Sequence, residues 1–182
     1  MYPLTSKRRR LPDEGVLEVF VANEQNDHPV DSARWQLLAE QVLDAEGIRG
    51  DAELSLLFVD ATTIAELNER FMGNEEPTDV LAFPLEDDAV AAGRWPDNGP
   101  TGPTGHRDEP GDPPLLLGDV VVCPAVAATN APTHAGTYED ELALLVVHGI
   151  LHVLGMDHAE PEEEAAMQAK ERSLLERFNR TA

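Results

Sequence analysis

The sequence predicts an α/β (α+β) domain in which a small mixed sheet of four strands packs with helices. Two observations carry this. Short runs rich in β-branched and apolar residues alternate with stretches of helical period, and the crossovers are too few for a large wound sheet. A third observation places the core. Residues 137–155, TYEDELALLVVHGILHVLG, form the strongest helical signal, with apolar residues almost all round, as expected of a helix buried in the middle of a domain.

VLEVFVAN (16–23) reads as the first strand. Ser32 then offers an N-cap to a helix that places Trp35, Leu38 and Val42 on one face and stops at Gly47. AELSLLFVD (52–60) reads as a buried strand. ATTIAELNERFMG reads as a helix, with Thr62 or Thr63 as its cap and Gly73 as its end. PTDVLAFPLE is a turn feeding a short strand around Val80 to Phe83. Six prolines and five glycines between Glu86 and Pro114 rule out a continuous helix or strand, so a long loop is expected there. LLLGDVVVCP (115–124) is the last strand, with Gly118 at a bulge or a close approach. A helix starts near Ala125. The buried helix follows, with Thr137 as cap and Glu139, Asp140 and Glu141 where the helix dipole favours acids. An amphipathic helix with Pro161 at its first position closes the chain.

A length of 182 residues suits one domain, here 16–182, preceded by a flexible basic tail at 1–15 that carries Lys7 to Arg10. The single cysteine, Cys123, permits no intrachain disulfide and reads as a small buried hydrophobe. No signal peptide or spanning run is visible, so a cytoplasmic protein without membrane partner or dinucleotide cofactor is expected. Thirteen Lys+Arg against 35 Asp+Glu give a formal net charge of -22. That charge argues against non-specific binding to nucleic acid.

Three of the six histidines fall within HGILHVLGMDH, residues 148–158. His148 and His152 are one turn apart and project from the same helical face. Gly155 lets the chain leave the helix and swing His158 back toward them. Three converging imidazoles with an open fourth position describe a catalytic zinc site, one ion per chain. The frame H-x3-H-x2-G-x2-H is also that of a class of zinc proteases, in which glutamate follows the first histidine as general base. Here that position is Gly149, which carries no proton, so peptide hydrolysis by that route is disfavoured. Zinc brings the pKa of a bound water toward ~7 and neutralises charge on phosphate oxygens, so a phosphodiester is a plausible target.

HGILHVLGMDH resembles the H-G-x-L-H-L-x-G-Y-D-H signature of the YbeY-type endoribonucleases, the bacterial rRNA maturation factors. PTDVLAFP resembles that family's P-T-D-V-L-S-F-P, LGDVVVCP its L-G-D-I strand, and LNERFMG its L-N-x-x-[YFW]-R-G element, all in family order. The resemblance covers most of the chain from Val16. It implies a zincin-like fold with the metal site on the central buried helix, and a zinc ion on His148, His152 and His158. It also implies cleavage of single-stranded rRNA in small-subunit 3′-end maturation and ribosome quality control, with the small subunit and its proteins as partners. One departure stands out: the family arginine of the LN element is Met72 here. Arg70, two residues earlier, is a candidate to replace it, although two helical residues turn a side chain through ~200°.

Among other residues, Asp157 is a catalytic candidate that either orients an imidazole or caps the turn after Gly155. Asp79 and Asp119 are candidate proton carriers or water positioners if their strands end at the metal, the other readings being an Asx turn for Asp79 and a buried hydrogen-bonded carboxylate for Asp119. His134 reads as a surface histidine within reach of the site. His28 and His106 sit in loops without partner spacing. No residue is assigned to substrate binding. Two alternatives remain open: a metal-dependent hydrolase of a non-RNA substrate, and a metal-binding ribosome assembly factor without nuclease activity.

Overall fold

The computed structural model describes residues 9–10, 16–48, 51–85 and 114–179. The loop expected at 86–114, except for Pro114, lies outside the described residues, as do His106, Lys7 and Arg8. Five strands form one mixed sheet: β1 (Arg9–Arg10), β2 (Val16–Asn23), β3 (Ala52–Phe58), β4 (Val80–Pro84) and β5 (Leu115–Val122), in the spatial order β1-β2-β3-β5-β4. Four are the expected strands. The fifth, β1, is a two-residue antiparallel edge against Val16 and Leu17, within the segment read as a tail. β3 is the centre, parallel to β2 and β5, while β4 runs antiparallel along the outer edge of β5.

Helices α1 (Ser32–Ala45) and α4 (Tyr138–Val153) cover one face of the sheet, and α2 (Ala61–Met72) covers the other. The short α3 (Pro124–Asn130) and a 3-10 turn (Ala131–Thr133) lead into α4. The final helix, α5 (Pro161–Phe178), packs on α4 and α1. Alternation decides which strand residues face which layer. Ala52, Leu54, Leu56 and Phe58 are buried, whereas Glu53, Ser55 and Leu57 between them are only partly covered. On β5, Val120 and Val122 join the main core with α1 and α4, and Val121 joins the smaller cluster under α2. Cys123 is buried there, as its reading as a small hydrophobe required.

Two helix starts differ from expectation. Asp31, not Ser32, caps α1 by accepting from the Arg34 amide at 3.2 Å. Asp60, not Thr62 or Thr63, caps α2 by accepting from the Thr63 amide at 2.8 Å. In both, a carboxylate just upstream reaches the free amide three residues on, so the helix begins earlier than the hydroxyl residues suggested. Thr137 caps α4 and Pro161 opens α5, as read from the sequence.

Gly118 is both a bulge residue and a close approach. The β3–β5 register skips Leu117 beside it, its φ is +145°, and a Cβ there would lie 2.3 Å from the Phe83 carbonyl oxygen. Gly149 sets a second close approach, between α4 and the sheet. A Cβ at Gly149 would meet Val120 Cγ1 at 2.4 Å and Val80 Cγ2 at 3.2 Å. Alanine normally favours a helix over glycine by about 1 kcal/mol. At this position overpacking against two stiff β-branched side chains outweighs that gain. Gly149→Ala is expected to lower stability by roughly 1–3 kcal/mol, read as a reduced urea midpoint.

Candidate metal centre

α4 is buried along nearly its whole length, yet two of its side chains, His148 and His152, are only partly covered. They stand where α4 passes the β4 edge, and Gly155, at φ +90°, turns the chain back after the helix. His158 then faces the helical pair. One ligand nitrogen from each of His148, His152 and His158 can be chosen so that all three lie within 4.8 Å of one another. The Nε2 atoms of His148 and His152 are 3.0 Å apart, near the roughly 3.3 Å expected of two ligands on tetrahedral zinc. No hydrogen atom need lie between them if both lone pairs point at one cation.

Glu171 of α5 decides the tautomer. Its Oε1 lies 2.5 Å from His148 Nδ1, and the residue is buried. A carboxylate accepts only, so Nδ1–H donates and the Nε2 lone pair is left for a metal. The donor set therefore fits zinc: three imidazoles, a carboxylate behind one of them, and an open side. Burial, with the neighbouring His148 and His158 adding to it, pushes the proton affinity of His152 below the ordinary value. That keeps the ring neutral and able to bind metal.

The open side is a cleft of about 490 Å³, lined among others by Met72, Asp79, Val80, Gly149 and the three histidines. A glutamate at position 149 would have no room, because Val120 and Val80 fill the space beside that Cα. Asp79 lies just before β4 beside the centre, with Oδ1 accepting from the Val80 amide at 2.8 Å, and it lines the cleft. Asp157 also lines the cleft, and its Oδ1 accepts from the adjacent His158 amide at 2.7 Å. Arg70 is not among the lining residues. Its guanidinium lies over the ring of Phe71, 5.3 Å from the centroid, on the exposed end of α2. Met72, at the family arginine's position, takes the place at the cleft. Asp119 is partly covered on the face of β5 opposite Val120, away from the metal ligands. His28 packs near Tyr138, at 5.8 Å between centroids, remote from the cluster.

Glu171 went unassigned in the sequence, and a second buried acid, Glu141, was read only as a first-turn acid favoured by the helix dipole. Their signal was there: each is an acid on an otherwise buried helical stripe, Met167–Glu171–Leu174 on α5 and Glu141–Leu145 on α4. Glu171→Gln keeps an acceptor but removes the charge behind His148. It is expected to weaken zinc affinity by roughly 10-fold, measured by competition with a chelating dye. The lowered proton affinity of His152 has a pH consequence in metal-free protein. As pH falls below 6.5 the unfolded chain takes this proton first, so the folded state loses stability until His152 itself protonates. Urea unfolding at about pH 7.5 and about pH 5.5 is expected to show a smaller difference in His152→Gln than in wild type.

Comparison with known proteins identifies the family of the chain. The family model described as Endoribonuclease YbeY matches residues 20–179. A protein named Endoribonuclease YbeY from Salinispora tropica is 46% identical over 165 residues, covering 91% of this chain and 98% of that one. One of the same name from Thermobifida fusca is 41% identical over 165 residues, covering 91% and 96%. A solution structure of a Thermotoga maritima protein shares the fold, with a TM-score of 0.51 and 24% identity over 90% of this chain and 93% of that one. The residues that hold the three imidazoles together lie inside the matched span, and the chain belongs to the YbeY endoribonuclease family.

Proposed function

We propose that the protein is a zinc-dependent, single-strand-specific endoribonuclease that acts in small-subunit rRNA 3′-end maturation and ribosome quality control. The observation that carries this reading is the three-imidazole cluster opening onto a cleft in a chain of this family. His148, His152 and His158 are assigned as the ligands of one zinc ion. When bound, zinc supplies charge neutralisation at a phosphoryl oxygen and an acidified water. The chain's own contribution is the rest: Glu171 fixes the ring of His148, Gly155 returns His158 to the cluster, and Val80 with Met72 walls the cleft.

Charge bears on how RNA arrives. No lysine or arginine lines the cleft among the described residues, and the chain carries a formal net charge of -22. Bulk attraction cannot gather a polyanion here. Delivery by the small ribosomal subunit and its proteins, in the cytoplasm, meets that difficulty. Among the described residues no helix is long and apolar enough to cross a membrane. Met72, standing where the family pattern has arginine, favours a second reading: a metal-binding assembly factor that does not cut RNA.

Metal-stripped protein with zinc restored is expected to cleave a fluorescent single-stranded RNA and to bind one zinc per chain. His152→Ala should lose roughly 10³-fold in rate, the several kcal/mol that a metal contributes, with its helical content retained. One equivalent of zinc without cleavage, on free RNA and on small subunits alike, would select the assembly reading.

A further inference from the structure

A second cavity, of about 300 Å³, shares His148 and His158 with the cleft and is lined also by His134, Leu145 and Gln168. His134 ends the 3-10 turn before α4, and its side chain is 59% exposed. Its Nδ1 lies 2.9 Å from both carboxylate oxygens of Glu141, which is fully buried in the first turns of α4. The Ala135 amide donates to the same carboxylate at 3.1 Å. Because a carboxylate accepts, the imidazole donates through Nδ1, and Nε2 stays outside the pair. A surface histidine needs no such support, and burying a carboxylate is unfavourable unless it is well paired. A buried acid that fixes the orientation of a ring at a cavity wall is the arrangement expected of a proton-transfer group.

Position agrees with that role. Glu141 and His148 are seven residues apart on α4, so they lie nearly in line along the helix, about 10 Å apart along its axis. His134 thus faces from one end the space that the metal ligands face from the other. We propose that His134, held by Glu141, protonates the leaving oxygen of a phosphodiester bound between it and the three histidines. The inference rests on the nuclease reading above. Hydrolysis forms a bond from phosphorus to a water oxygen and breaks the bond to the leaving oxygen. That oxygen takes the proton of His134 Nε2, and the proton released by water passes to solvent and restores the imidazolium. Asp79, Glu164 and Glu171 also face this cavity. They would repel a further phosphate, so the cavity suits the uncharged sugar and base of the leaving nucleoside.

The test uses the zinc-loaded full chain and two RNAs with one scissile linkage, one natural and one carrying sulfur at the leaving bridging position. A thiolate leaves without needing a proton. His134→Ala is expected to slow the natural linkage by roughly 10²–10⁴-fold and to cut the sulfur linkage within a few-fold of wild type. Glu141→Gln, a positioning change, should give a smaller loss with the same sulfur rescue. Independently of turnover, inorganic phosphate added to the zinc-loaded protein should move the ¹⁵N resonance of His134 Nε2 and leave that of His28 in place. Equal losses on both linkages in His134→Ala, or none on either, would overturn the assignment while leaving the nuclease reading intact. Failure of wild type to cut either linkage, in free RNA and on small subunits alike, would overturn both.

Discussion

At Gly149 the backbone of α4 lies against Val120 and Val80 with no room for a side chain, and that contact aims the neighbouring imidazoles. A helix held farther from the sheet would carry His148 and His152 away from the β4 edge, where Asp79 and Val80 form the cleft wall. The same contact explains why the position does not hold a glutamate. A protease base there would need the volume that the sheet occupies. The close approach of helix and sheet thus fixes both where the metal ligands stand and which metal-assisted chemistry lacks its proton carrier.

Two buried carboxylates show how the core supports polar function. Glu171 and Glu141 are both covered, and each accepts from the Nδ1 of a histidine that reaches toward the cavities. Burying a carboxylate alone costs several kcal/mol. Donors within hydrogen-bond distance offset that cost, and the return is a fixed ring orientation and tautomer. The acids come from different helices, α5 and α4, so the centre depends on their mutual packing as well as on the ligand-bearing turn. The C-terminal helix is consequently part of the site, although it contributes no metal ligand.

The acidity of the chain sharpens the contrast with proteins that gather nucleic acid by charge. The described cleft lining holds carboxylates, imidazoles and apolar groups. Such a lining gives no long-range attraction to RNA, but within contact distance it still offers hydrogen-bond partners for bases and sugars. Arg70, the basic side chain near the end of α2 and a candidate to compensate for Met72, stacks on Phe71 and does not line the cleft. The ~200° turn between those positions is the geometric reason.

The sequence by itself determined the fold class, the four main strands, the buried α4 and the three-histidine cluster. All follow from local signals: alternation, helical period, capping, a four-residue histidine spacing and a helix-ending glycine. Its errors were also local, at the caps, where Asp31 and Asp60 reach amides three residues on and start the helices ahead of the hydroxyl residues. Only the tertiary structure decided what Gly149 is for, since Val120 and Val80 are distant in sequence and their contact with α4 is set by sheet order. It also decided that Glu171, 23 residues from His148, holds that ring, and that His134 stands on a cavity wall with a buried partner. Periodicity tells which residues of an element are covered, but not which residue of another element covers them. That pairing comes from how the layers pack.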